Sequence, residues 1–126
     1  MPTSIPASVL LVDDQPANLL AMEAVLDSLR VELVRAQSGP QALEQLERQD
    51  FAAILLDVRM PGMDGFEVAR QIRARPRSRF TPILFVTAGD DPDEAMMSAY
   101  ALGAVDFLAK PLRTQVLLAK VSVFVE

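Results

Sequence analysis

The chain contains no cysteine and no histidine. Without cysteine, neither a disulfide framework nor a thiolate metal site can form. Without histidine there is no imidazole for acid–base chemistry, and the chain cannot carry a phosphohistidine of its own. No apolar run approaches the ~20 residues of a membrane span. Met1 to Ser8 has neither the basic start nor the apolar stretch of a signal peptide. A cytoplasmic location and no membrane partner are therefore expected. The formal net charge is −5. An acidic surface gains nothing from a polyanion, so direct nucleic-acid binding is not expected. What is present is ordinary for a globular domain: 126 residues, 51% hydrophobic and 23% charged. One domain over 1–126 is expected, with 1–7 as a tail.

Short apolar runs alternate with amphipathic stretches. Val9-Leu10-Leu11-Val12 ends in Asp13-Asp14, Ala53-Ile54-Leu55-Leu56 in Asp57, and Ile83-Leu84-Phe85-Val86 in Thr87. Val105-Asp106-Phe107-Leu108 precedes Lys110-Pro111, and Val31 to Val34 is a weaker fifth run. Such runs, bounded by polar or turn residues, read as strands buried on both faces of a parallel sheet. Between them Leu19, Met22, Leu26 and Leu29 recur at helical spacing after Pro16. Ser38-Gly39-Pro40-Gln41 offers a capping box, and Phe66, Ala69 and Ile72 mark a helix after Gly65. Asp91-Pro92-Asp93-Glu94 announces a helix over 95–102, stopped by Gly103. A last helix begins near Leu112 or Arg113. The pattern predicts an α/β fold, a doubly wound (βα)5 arrangement around a five-stranded parallel sheet. It leaves the strand order open.

Polar residues follow four of the five runs: Asp13-Asp14, Asp57, Thr87 and Lys110. In a parallel sheet all strand C-termini lie on one edge, where ligands bind. Three carboxylates brought together there repel one another unless a cation intervenes. Mg²⁺ suits oxygen ligands that include few carboxylates, keeps waters and pairs with phosphate oxygens. A carboxylate can then act as a nucleophile toward phosphorus, while Lys110 and the Thr87 hydroxyl offer charge and a hydrogen bond to the transferring group. Taken singly, each of these residues reads as a strand end, a cap, a turn or a solvated charge. Four such accidents at once are an improbable coincidence.

Leu10-Leu11-Val12-Asp13-Asp14, Leu55 to Gly65, Val86-Thr87-Ala88 and Lys110-Pro111 together resemble the bacterial two-component response-regulator receiver family, across about Ser8 to Val125. The resemblance implies a flavodoxin-like fold and assigns roles. Asp57 matches the phosphoacceptor. Asp13 and Asp14 match the acidic pair that holds Mg²⁺ (Mn²⁺ able to substitute) together with Asp57 and the Arg59 backbone carbonyl. Thr87 matches the hydroxyl that follows the phosphoryl group, and Lys110 the lysine that pairs with it, with a Lys110–Pro111 bond that is typically cis. Phe107 matches the switch aromatic and here lacks a hydroxyl, so its movement would be read through packing. Arg59 and Gly89 occupy positions that tune phosphoryl lifetime. The family's phosphodonor is a histidine kinase or phosphotransfer protein. Its output is a change in the surface formed by the helix over 95–102, the following strand and the last helix. Such a domain is a regulatory module, with self-phosphorylation and autodephosphorylation as its only chemistry.

The last helix carries two apolar stripes, Leu117, Val121 and Phe124, and Val116, Ala119 and Val123. The first should face the sheet. The second points to a homodimer through the last helices, or to fusion with an output or kinase domain in a longer protein. The segment from Val12 to Leu20 resembles receivers fused ahead of a histidine kinase or another signalling output domain. Two alternatives stand beside the switch. A haloacid-dehalogenase-like enzyme would want a second Asp two residues after the nucleophile, where this chain has Arg59. A non-phosphorylated interaction module would be favoured by loss of Asp57, Lys110 or the acidic pair, and all are present.

Overall fold

The computed structural model describes residues 7–87, 97, 101, 103 and 106–125. Five strands, β1 (Ser8–Val12), β2 (Glu32–Ala36), β3 (Ala53–Asp57), β4 (Ile83–Thr87) and β5 (Asp106–Ala109), form one sheet. Every pairing is parallel and the order is β2-β1-β3-β4-β5. Four helices are described: α1 (Pro16–Leu26), α2 (Gly39–Arg48), α3 (Gly65–Ala74) and α4 (Thr114–Val125). None is long and apolar enough to cross a membrane.

The period of two along each strand sorts side chains into two cores. Leu10, Val12, Ile54, Leu56, Ile83 and Phe85 point to the α2/α3 layer. Val9, Leu11, Ala53, Leu55, Leu84 and Val86 point to the α1/α4 layer. Both faces are covered, which is why the central runs are apolar at every position. Phe85 is fully buried and its ring lies 5.1 Å from Phe66 and 6.1 Å from Phe107. Phe85→Ala is expected to cost about 3–5 kcal/mol in chemical denaturation, the scale of a large cavity in a packed core.

The helix starts follow their caps. Pro16 occupies the first turn of α1. Ser38 Oγ accepts from the Gln41 N–H (3.2 Å), and Gln41 Oε1 accepts from the Gln37 N–H (2.8 Å). Asp64 caps α3, its Oδ1 accepting from the Glu67 N–H (2.9 Å). The two layers differ on their outer sides. The outer faces of α2 and α3 are laced with ion pairs such as Arg48–Glu44, Arg75–Glu47 and Arg70–Glu67. The exposed positions of α1 are Ala17, Leu20, Ala21 and Ala24 after Pro16, and Val116 and Val123 of α4 are likewise exposed. As expected, Leu117 and Val121 are buried under the sheet.

Boundaries differ from the sequence reading at three places. β2 lies at 32–36 rather than 31–34, and β5 (Asp106–Ala109) runs one residue past the expected end at Leu108. Both are edge strands, where solvent on one side weakens the apolar pattern. Leu29 falls in a 3-10 turn (Asp27–Leu29) that ends on Arg30 in the left-handed region, φ 55°. The expected helix over 95–102 lies largely outside the described residues, together with Gly89, Asp91, Met96 and Tyr100.

Candidate functional site

The chain leaves β1 toward β2 on one side and returns to β3 on the other, so the strand order reverses between β1 and β3. A crevice opens at the carboxyl ends of these two strands, the place where open α/β sheets bind ligands. Asp13 and Asp14 follow β1, and Asp57 ends β3. Asp13, Asp14 and Asp57 offer carboxylate oxygens that all lie within 4.8 Å of one another. Asp13 and Asp57 are buried, at 1% and 5% exposure, and Asp14 is half-buried.

Each buried carboxylate is held in place. Asp13 Oδ1 accepts from the Gln15 N–H (2.9 Å) and from Asn18 Nδ2 (3.3 Å). Asp57 Oδ1 accepts from the Arg59 N–H (3.1 Å). Their other oxygens face Lys110, whose Nζ lies 3.6 Å from Asp13 Oδ2 and 3.5 Å from Asp57 Oδ2. The Lys110 N–H donates to the Thr87 carbonyl at 2.7 Å, which holds this residue beside the end of β4; the Lys110–Pro111 bond is cis. Thr87 is buried at the end of β4.

Burial raises the pKa of Asp57 above the ordinary carboxylate value, and the charge of Asp13 adds to the effect. The Arg59 N–H and the Lys110 ammonium pull it the other way without cancelling it. Among the described residues, the Lys110 ammonium lies within ion-pairing distance of Asp13 and Asp57, against three carboxylates. The donors are hard oxygens, and Asp14 is half-buried and reachable from solvent. This set fits a divalent cation of the Mg²⁺ kind.

Asp13, Asp14, Asp57, Thr87 and Lys110, predicted from separate runs, thus converge at one sheet edge. Arg59 is exposed beside it. Phe107 is half-buried on β5, its ring against that of Phe85. Gly89 lies outside the described residues. One contributor escaped the sequence reading. Asn18 orients Asp13 from the first turn of α1, and its spacing from Asp13 is the one available signal. Gly65 lets α3 start against the strand. A Cβ there would stand 2.3 Å from the Asp57 carbonyl oxygen and 2.9 Å from Val58 Cα. Its role is close approach, whereas the turn itself is made by Gly62 at φ 79°.

A five-stranded parallel sheet in this order, with carboxylates at its switch point, defines a flavodoxin-like fold. Residues 9–122 match the response regulator receiver domain family. The response regulator PleD of Caulobacter vibrioides is 41% identical over 115 residues, covering 91% of this chain and 25% of PleD. The signal transduction histidine-protein kinase BarA of Escherichia coli is 36% identical over 110 residues, covering 86% of this chain and 12% of BarA. Among solved structures, the receiver domain of a sensor histidine kinase from Pseudomonas aeruginosa is 34% identical, with a TM-score of 0.84 over 95% of this chain and 98% of that one. That structure has a magnesium ion coordinated in its active site cleft. This chain belongs to the response regulator receiver domain family of two-component signalling. It spans a quarter or less of the PleD and BarA chains it matches.

Proposed function

We propose that this domain is a phosphoacceptor switch in which Asp57 takes a phosphoryl group from a phosphohistidine donor. The observation that carries the reading is the buried Asp57 carboxylate, set among Asp13, Asp14 and Lys110 within ion-pairing reach. Asp57 attacks phosphorus, an O–P bond forms, the donor's P–N bond breaks, and its electron pair leaves with the imidazole. The chain has no histidine, so the donor is another protein or domain, a histidine kinase or a phosphotransfer protein. Asp13, Asp14, Asp57 and the Arg59 carbonyl are the groups to hold Mg²⁺, which when bound supplies positive charge against the carboxylates and the phosphoryl oxygens. Lys110 faces the acceptor and balances charge on the phosphoryl oxygens. Thr87 offers its hydroxyl from the neighbouring strand end. Phe107 carries the readout through its contact with Phe85. The domain then acts as a regulatory module within a larger signalling protein or as the partner of one, in the cytoplasm.

Incubation with Mg²⁺ and acetyl phosphate, followed by intact mass, tests this reading. One added phosphoryl group that vanishes in Asp57→Ala is the expected result. No adduct on the wild type with any donor points instead to a receiver-like interaction module. Arg59, exposed at the rim, is proposed to tune the lifetime of the adduct together with Gly89. Arg59→Ala should change the rate of phosphorylation or of hydrolysis several-fold, measured by loss of the adduct over time, and unchanged rates would remove Arg59 from the mechanism.

A further inference from the structure

Strand β5 ends in the pocket through Lys110, but its middle is gripped from outside. The strand lies at the sheet edge. There Phe107 turns its peptide groups to side chains. Its N–H donates to Asp106 Oδ1 (2.7 Å), and its carbonyl accepts from Lys120 Nζ (3.3 Å). Lys120 also closes an ion pair with Asp106 Oδ1 at 2.8 Å. One ammonium on α4 thus holds both the carboxylate and the carbonyl that flank the Phe107 peptide. Between α4 and β5 lies a cleft of about 410 Å³, bordered by Phe107, Leu108, Pro111, Val116 and Lys120. Apolar packing is incomplete there, and the lysine crosses the gap.

We infer that Lys120 is a positioning residue that ties the last helix to the Phe107 peptide, so that strain at the pocket end of β5 moves α4. This rests on the phosphoacceptor reading above. Phe107 and Lys110 are three residues apart, about 10 Å of extended strand. The Lys110 end is fixed by its ion pairs to Asp57 and Asp13 and by its N–H on the Thr87 carbonyl. A phosphoryl group that draws Lys110 toward itself pulls on the same strand that Lys120 holds. The pair is about one-third exposed on each side, so it contributes little to global stability. Its value lies in where it holds the helix.

The test compares wild type, Lys120→Met, Asp106→Asn and Lys120→Arg, each with Mg²⁺ and with or without beryllofluoride. Fluorine NMR reports whether the pocket is occupied. Amide hydrogen exchange over 114–125 reports whether the helix responds. The expected result is a several-fold change in exchange on beryllofluoride binding in the wild type, its loss in Lys120→Met and Asp106→Asn despite bound fluoride, and its return in Lys120→Arg. A purely structural lysine would speed exchange equally in both states and leave the difference intact, which overturns the inference. A wild type that binds beryllofluoride without any helix response also overturns it, while leaving the pocket reading untouched. Absence of a bound fluorine signal in the wild type overturns the pocket reading, and the coupling falls with it.

Discussion

Asp57→Asn should make the metal-free protein more stable at pH 7, by on the order of 1–3 kcal/mol, the scale of relieving an incompletely compensated buried charge. For a domain of this size that is several degrees in thermal midpoint. The acceptor carboxylate is buried beside Asp13, and its pKa is raised chiefly by burial. A carboxyl whose folded-state pKa lies above its unfolded value binds more protons in the native state. The stability this confers is fully present below the unfolded value of 3.8 and is lost as pH rises through the folded value. The gap between variant and wild type should therefore be closed in acid and open with rising pH. Asparagine keeps an oxygen for the Arg59 N–H; its amide nitrogen replaces the oxygen that faces Lys110, so that ion pair is lost while Lys110 retains Asp13. Saturating Mg²⁺ should stabilise the wild type more than the variant, because binding to the native state alone adds stability by mass action. A variant less stable than the wild type at pH 7 without Mg²⁺ would sink the idea that the buried Asp57 charge is incompletely compensated.

The second large effect concerns Gly65. Intrinsic propensity favours alanine over glycine in a helix by about 1 kcal/mol. Gly65→Ala should nevertheless destabilise, by about 1–3 kcal/mol or more, because its Cβ would collide with the Asp57 carbonyl and Val58 Cα, both main-chain atoms. The Gly65 N–H also donates to the Val58 carbonyl at 2.9 Å, so the helix cannot simply retreat. Relief of the clash must move the backbone of the acceptor itself. Denaturant melts should show the loss of stability, and acetyl phosphate labelling should slow. An alanine variant as stable as the wild type would show that α3 can stand further from the strand than it does.

The pocket was legible because each of its residues terminates an apolar run. Val12, Leu56 and Val86 are followed at once by the polar groups that converge. Burial on both faces writes the strand as an unbroken apolar word, and the first polar letter marks the sheet edge. Strand order was not legible. Val9–Val12 and Ile83–Val86 read alike, yet one strand lies at the switch point and the other does not. Arg73 shows a different blindness. It sits in the last turn of α3, where a basic residue reads as a solvated charge. Its guanidinium instead donates to the carbonyls of Arg79 (3.1 Å), Thr81 (2.8 Å) and Gly103 (3.1 Å), and burial lowers its pKa. Main-chain acceptors leave no mark in the residue alphabet, so such a tether is invisible before folding. The capping residue Ser38 was readable because its partner lies three residues away.

The position of Lys110 on the edge strand has a consequence for how the molecule is made. During synthesis the three carboxylates emerge with β1 and β3, and the ammonium that offsets them follows more than fifty residues after Asp57. The ammonium that faces Asp57 and Asp13 is therefore the last of the pocket's charges to be made, and the strand that leads to it is the last strand in the chain.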